Sequence, residues 1–135
     1  DEIIVDNCCM QLVLDPTRFD MLLLENLYGD IVSDLCAGFI GGLGMAPGAN
    51  IGEGAAIFEA VHGSAPDIAG KGIANPLAML LAAGLMLEHV GDSTRLKRLN
   101  EAIDVTLNKD KVRTGDLGGK ASTKDFAKAI IKRLK

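Results

Sequence analysis

No stretch of this sequence approaches the roughly 18 consecutive apolar residues that a membrane-spanning helix requires. The most apolar segment, 77–87, is short and follows Asn75-Pro76. The opening residues, Asp1-Glu2-Ile3-Ile4-Val5-Asp6, lack the basic-then-apolar order of a secretion signal. Cysteine is scarce: Cys8, Cys9 and Cys36 form no even disulfide framework, and Cys-x-x-Cys is absent, which favours a reducing compartment. The dinucleotide fingerprint Gly-x-Gly-x-x-Gly is missing, and Gly42-x-Gly44 is a weak substitute because no strand, tight turn and long helix surround it. Ser64 follows Gly63 but sits in no Gly-x-Ser-x-Gly elbow, which weakens a hydrolase reading. No fixed-period repeat and no Pro/Ser-rich linker divides the chain, so its 135 residues suit one domain. A formal charge of -4, with 14 basic residues spread along the chain, argues against a nucleic-acid surface.

What is present is a composition able to fold, 48% apolar and 24% charged. Most of the sixteen glycines gather in 38–54, at 63, 70 and 72, and at 115, 118 and 119, marking turns and close backbone approaches. Segment 3–14 is ambiguous by composition, but Val5, Cys8, Cys9, Leu12 and Val13 recur at helical spacing before Asp15-Pro16 stops the element. The run 19–24 reads as a buried, parallel strand. Asp30 is placed as the cap of the next helix, with Ile31, Leu35, Cys36 and Phe39 facing inward. Segment 41–54 reads mostly as loop, followed by a strand over 56–61. Asn75-Pro76 starts a helix to about residue 90, Gly91 closes it, and Asp92 or Ser93 opens another through Leu107. Ser122 begins a last helix with Phe126, Ile130 and Leu134 on one stripe, Ala127 and Ile131 beside it. Strands alternating with helices imply an α/β fold of three-layer αβα type.

Two segments carry chemistry. Asp30 and Asp34 lie four residues apart, which on a helix puts both carboxylates on one face. Their repulsion invites a divalent cation, and oxygen ligands favour Mg2+ or Mn2+. The same spacing also fits a capping Asp30 beside a solvated Asp34. Asp6 is a third carboxylate that spacing alone does not bring to the pair. The second segment is His62-Gly63-Ser64-Ala65-Pro66-Asp67-Ile68-Ala69-Gly70. Pro66 can open a short helical turn whose free N–H groups meet an anion, and Asp67 can accept a pair of sugar hydroxyls. Taken alone, His62 reads equally as a structural histidine. His89 near a helix end reads as a dipole contact, and the cysteines as inert burial.

These motifs together resemble the isocitrate and isopropylmalate dehydrogenases, which are metal-dependent decarboxylating dehydrogenases. The resemblance rests on Val5-Asp6-Asn7, Asn26-Leu27-Tyr28-Gly29-Asp30-Ile31-Val32-Ser33-Asp34, Gly42-x-Gly44, His62 to Gly70 and Ile73-Ala74-Asn75-Pro76, and it covers essentially the whole chain. The wording of Asp6-Asn7-Cys8-Cys9-Met10-Gln11-Leu12-Val13 and Asn26 to Asp30 is most similar to the catalytic type of NAD-dependent isocitrate dehydrogenase.

The resemblance implies roles that spacing does not. Asp30 and Asp34 match metal ligands, and Asp6 matches a third supplied across a dimer interface of a homodimer or hetero-oligomer. His62, Gly63, Ser64 and Ala65 match cofactor-contacting positions, Asn75 an adenine contact, Glu59 the nicotinamide end, and Asp116 the adenosine side. Asp67-Ile68 stands where similar NADP-using enzymes carry Lys-Tyr. A carboxylate accepts from free ribose hydroxyls and repels a 2′-phosphate, so NAD is the expected cofactor. The substrate is a small 2-hydroxy acid, expected to be isocitrate; the alternatives are isopropylmalate or the role of a noncatalytic regulatory subunit. Family members run to more than twice this length, with their substrate arginines and their catalytic tyrosine and lysine before the matching region. The chain is therefore expected to be a C-terminal portion, inactive alone, with no catalytic acid or base of its own. Cytoplasm and mitochondrial matrix both agree with this reading.

Overall fold

The computed structural model describes residues 1–135, in two compact units, Asp1–Gly42 and Leu43–Lys135. In the first unit, helix α1 (Val5–Leu14) packs on helix α2 (Asn26–Phe39). Cys8 and Leu12, one turn apart, meet Val32, and Phe19, Leu22, Leu24, Leu35 and Cys36 close around them. Helix α1 ends where Asp15 turns its carboxylate back on Thr17, accepting from its N–H at 3.1 Å and its hydroxyl at 2.6 Å. A single 3₁₀ turn follows, Pro16–Arg18.

The expected buried strand over 19–24 does not form. Nor is the run buried on both faces: Leu22 and Leu24 turn inward while Met21 and Leu23 are 87% and 98% exposed. A strand is defined by a ladder with a neighbour, and the only paired strands of this chain lie elsewhere. The segment is extended backbone without a partner. Helix α2 also starts earlier than read. Glu25 occupies the cap position, its carbonyl accepting from the Gly29 N–H at 2.7 Å, so Asp30 lies inside the helix and caps nothing. The inward face is set by Val32 and Ala37 with Leu35 and Cys36 beside them, while Ile31 and Phe39 are exposed.

The second unit holds an antiparallel hairpin of β1 (Pro47–Ile51) and β2 (Ala56–Ala60), registered Pro47 to Ala60 and Ile51 to Ala56. Strand β1 corrects the reading of 41–54 as mostly loop. Its proline stands at the first strand position, where a missing N–H is tolerated, so the Gly/Pro density did not exclude a strand. Helix α3 (Leu77–His89) packs on both strands and on helix α4 (Ser93–Asp104). Gly91, at φ +78, ends α3 in a Schellman motif: Asp92 N–H donates to Leu87 at 2.9 Å and Gly91 N–H to Glu88 at 3.0 Å. The Asp92 side chain then caps α4 through the Arg95 N–H at 3.0 Å.

Helix α4 widens into a π turn over Val105–Lys109 instead of continuing as α-helix. Helix α5 (Thr123–Leu134) is capped by Ser122, whose hydroxyl accepts from the Asp125 N–H at 3.1 Å. Leu77, Leu99, Ala102, Ile103, Phe126 and Ile130 form the core of this unit; Leu134 borders it and Ile131 faces solvent. No helix is long and apolar enough to cross a membrane.

Candidate functional site

In the first unit, α2 carries Asp30 and Asp34 on successive turns. Both are exposed, and neither carboxylate accepts a protein hydrogen bond or joins an ion pair; the ion pairs are Asp92–Arg95, Glu101–Lys97 and Asp110–Arg133. Two carboxylates one helical turn apart without a cation are a pair of oxygen donors open to solvent. Asp6 lies in the first turn of α1, where one oxygen accepts from the Asn7 N–H at 2.6 Å. No three His, Cys, Asp or Glu side chains are grouped to hold a metal ion. The donor set suits a hard cation that keeps several waters or takes further oxygens from elsewhere, as magnesium does. Cys8 in the same unit is 1% exposed, and burial, reinforced by Cys9 and Cys36, pushes its thiol up from the ordinary value. That is the setting of an inert thiol rather than a nucleophile.

In the second unit the hairpin delivers Glu59 at the end of β2, exposed, its Oε1 accepting from Asn50 Nδ2 at 3.1 Å. His62, Gly63, Ser64, Ala65 and Asp67 follow, all exposed, with Ile68 half-buried. His62 Nδ1 lies 2.9 Å from the Gly63 carbonyl. Ala65 has φ +43, a left-handed conformation that a Cβ disfavours, and its carbonyl accepts from the Ile68 N–H at 3.1 Å to open a run of turns from Pro66 to Gly70. The Asp67 carboxylate has no protein partner. The His89 ring stands 5.5 Å from that of Phe58, tilted by 54°.

Residues far apart in sequence meet at the start of α3. Asn75 Oδ1 accepts from the Leu77 N–H at 3.0 Å, while Asn75 Nδ2 donates to Asp116 Oδ2 at 2.9 Å. With both ends engaged, the orientation of the amide is fixed. Met45 Sδ lies 3.7 Å from the same nitrogen, and Gly44 borders both side chains. Asp116 is held in a 3₁₀ turn, Gly115–Leu117, closed by Gly118 at φ +74. Sequence reasoning assigned neither Met45, which also packs against the core, nor Thr123, whose hydroxyl donates to the Ala74 carbonyl at 2.5 Å, to this cluster. The Ser122 cap next to Thr123 signals a helix start, but nothing local signals the loop it touches.

A family profile described as isocitrate/isopropylmalate dehydrogenase matches residues 1–130. The chain belongs to this family. An isocitrate/homoisocitrate dehydrogenase of Thermus thermophilus is 56% identical over 99% of the chain and 40% of its own length. A mitochondrial regulatory subunit of the NAD isocitrate dehydrogenase of Dictyostelium discoideum is 55% identical over 99% of the chain and 38% of its own length. Among solved structures, isocitrate dehydrogenase from Methylococcus capsulatus superposes with a TM-score of 0.91 at 52% identity, covering 99% of this chain and 40% of that one. The chain thus spans about 40% of the length of the curated relatives it matches. Its α/β fold is that of a portion of the three-layer αβα isocitrate/isopropylmalate dehydrogenase fold.

Proposed function

We propose that this chain is the C-terminal portion of an NAD-dependent isocitrate dehydrogenase, and that the full-length enzyme oxidatively decarboxylates isocitrate to 2-oxoglutarate. The observation that carries the reading is the state of Asp30, Asp34 and Asp67: three exposed carboxylates without a protein donor or cation, on the two segments that carry the family's motifs. In this reading Asp30 and Asp34, with Asp6 from a second copy, hold magnesium or manganese. The bound ion supplies Lewis-acid polarisation of the hydroxy acid's carboxylate and hydroxyl oxygens as carbon dioxide is lost. Bound NAD supplies the hydride acceptor.

The chain's own residues orient the cofactor. Gly63, Ser64 and Ala65 present backbone to the dinucleotide beside His62, and Ile68 offers the apolar flank of the same turn. Asp67 accepts from the free ribose hydroxyls and disfavours a 2′-phosphate. Asn75, its amide fixed by Asp116, meets the adenine, and Glu59 borders the nicotinamide end. The substrate arginines and the catalytic tyrosine and lysine belong to preceding sequence, so the segment alone is inactive. Isopropylmalate remains the alternative substrate, since its enzymes share this chemistry. A noncatalytic subunit is the second reading, favoured by the regulatory name of the Dictyostelium relative. The retained aspartate pair and intact His-Gly-Ser-Ala-Pro run favour the catalytic one.

Calorimetric titration with NAD and with NADP, manganese present, tests this function. Preferential NAD binding is expected. Tighter binding of NADP, or no dinucleotide binding by the folded full-length protein, overturns it.

A further inference from the structure

The stretch 62–74 between β2 and α3 is exposed almost throughout. Its internal order is slight: Ile68 N–H donates to Ala65 and Lys71 N–H to Ile68, each at 3.1 Å, and Gly70 and Gly72 take φ +76 and +65. Two hydrogen bonds tie it to a distant part of the chain, and both come from Thr123. The Thr123 N–H donates to the Gly72 carbonyl at 2.8 Å, and its Oγ1 donates to the Ala74 carbonyl at 2.5 Å.

Thr123 is the first residue of α5, where a backbone N–H has no acceptor within its own helix. The loop carbonyl supplies that acceptor. The helix behind it is held firmly, since Ser122 caps it and Phe126 and Ile130 are buried in the core. Ala74 in turn adjoins Asn75, whose amide is set by Leu77 and Asp116. The end of the exposed loop is therefore fastened to the core through one side chain and one N–H.

We infer that Thr123 is a positioning residue for the dinucleotide site, acting through the Gly72 and Ala74 carbonyls. The inference rests on the dinucleotide reading proposed above. Thr123 holds the exit of the loop in place before ligand arrives, so that binding does not also have to order 62–74. Without its hydroxyl, part of the binding free energy goes into that ordering.

The test uses the full-length enzyme with Thr123→Val and Thr123→Ser. Valine keeps the shape and the N–H bond but removes the hydroxyl, and Ala74 is an exposed residue whose carbonyl can take water instead, so the fold survives. Loss of one net hydrogen bond predicts that Thr123→Val raises the KM for NAD about three- to tenfold, with kcat at saturating NAD within about twofold. Amide hydrogen exchange should quicken in 62–74 while the amides of α3, α4 and α5 stay as protected as before. Serine should restore both readouts.

Unchanged KM and unchanged loop exchange in Thr123→Val, in an enzyme that saturates with NAD, overturn the role of Thr123 alone. Faster exchange throughout the core, or failure of serine to rescue, also overturns it, because either marks a general packing effect. An unaltered enzyme that saturates with neither NAD nor NADP overturns the dinucleotide reading itself, and that result is obtained before any variant is made.

Discussion

Replacing Asp67 by Asn isolates one charge at the proposed sugar site. Asp67 is exposed and no cation of this chain neutralises it, so its full charge faces whatever binds beside it. Two unit charges about 4 Å apart interact by about 1 kcal/mol in water-like surroundings, and a phosphate monoester near neutrality carries about 1.5 to 2 charges. The carboxylate should therefore disfavour a 2′-phosphate by about 1.5 to 2 kcal/mol, a factor of about 10 to 30. Asparagine keeps an acceptor oxygen, but hydrogen bonds to a charged acceptor are about twice as strong as neutral ones, so NAD should weaken by only a few-fold. Asp67→Asn in the full-length enzyme should shift the NAD-to-NADP ratio of kcat/KM toward NADP by at least about 10- to 30-fold, the few-fold loss on NAD adding to the relieved repulsion. The shift should shrink at high ionic strength, because the site is exposed. A ratio that moves less than about threefold at low salt, or an equal loss for both cofactors, would refute the electrostatic argument.

Three further outcomes follow from the structure and the proposed function. Asp34→Asn should abolish manganese binding in titration calorimetry, yet raise metal-free stability by about 0.3 kcal/mol because a like-charge pair one turn apart is relieved; a loss of metal-free stability would speak against an unbalanced pair. Gly119→Ala should destabilise the protein by about 2 kcal/mol, lowering the melting temperature by about 8 °C, because the added Cβ would overlap the backbone carbonyl of Arg113; an unchanged melting temperature would contradict that close approach. Arg133 donates to Asp110 through Nε at 2.8 Å and holds that carboxyl below its ordinary range. A depressed folded value means that the pair's contribution is present above the unfolded value near 3.9 and is lost as pH falls through the folded one. Melting temperatures of wild type and Arg133→Met should therefore differ at neutral pH and converge as pH falls through the depressed folded value; a constant gap would rule the pair out.

Helices α3, α4 and α5 were legible in the sequence because their boundaries are written locally, in Asn75-Pro76, Gly91-Asp92 and Ser122. The start of α2 was not, because Asp30 is as good a capping residue as any and the true start, at Glu25-Asn26, has no capping side-chain bond. Segment 19–24 shows the opposite failure. Its continuous apolar run reads as a buried strand, but a strand is a property of two segments, and the pattern of one cannot supply the other. Strand β1 hid behind the glycines and the proline that flank and open it. The candidate site divides the same way. Asn75 and Asp116 were each singled out by resemblance, but that they lie 2.9 Å apart is a long-range fact. The hold of Thr123 on Ala74, across 49 positions, has no local signal at all.

The extended run at 19–24 is laid out in advance for a strand that would pair with it. Packing of Phe19, Leu22 and Leu24 has already met part of the ordering cost, about 1 to 2 kcal/mol per residue, that normally delays the addition of a strand. Its backbone from Asp20 to Leu24 makes no hydrogen bond within the protein, and Met21 and Leu23 project from its outer side. A strand that pairs with this run, whether from elsewhere in a longer polypeptide or from a second copy, would therefore meet a backbone already extended and pay less to join it.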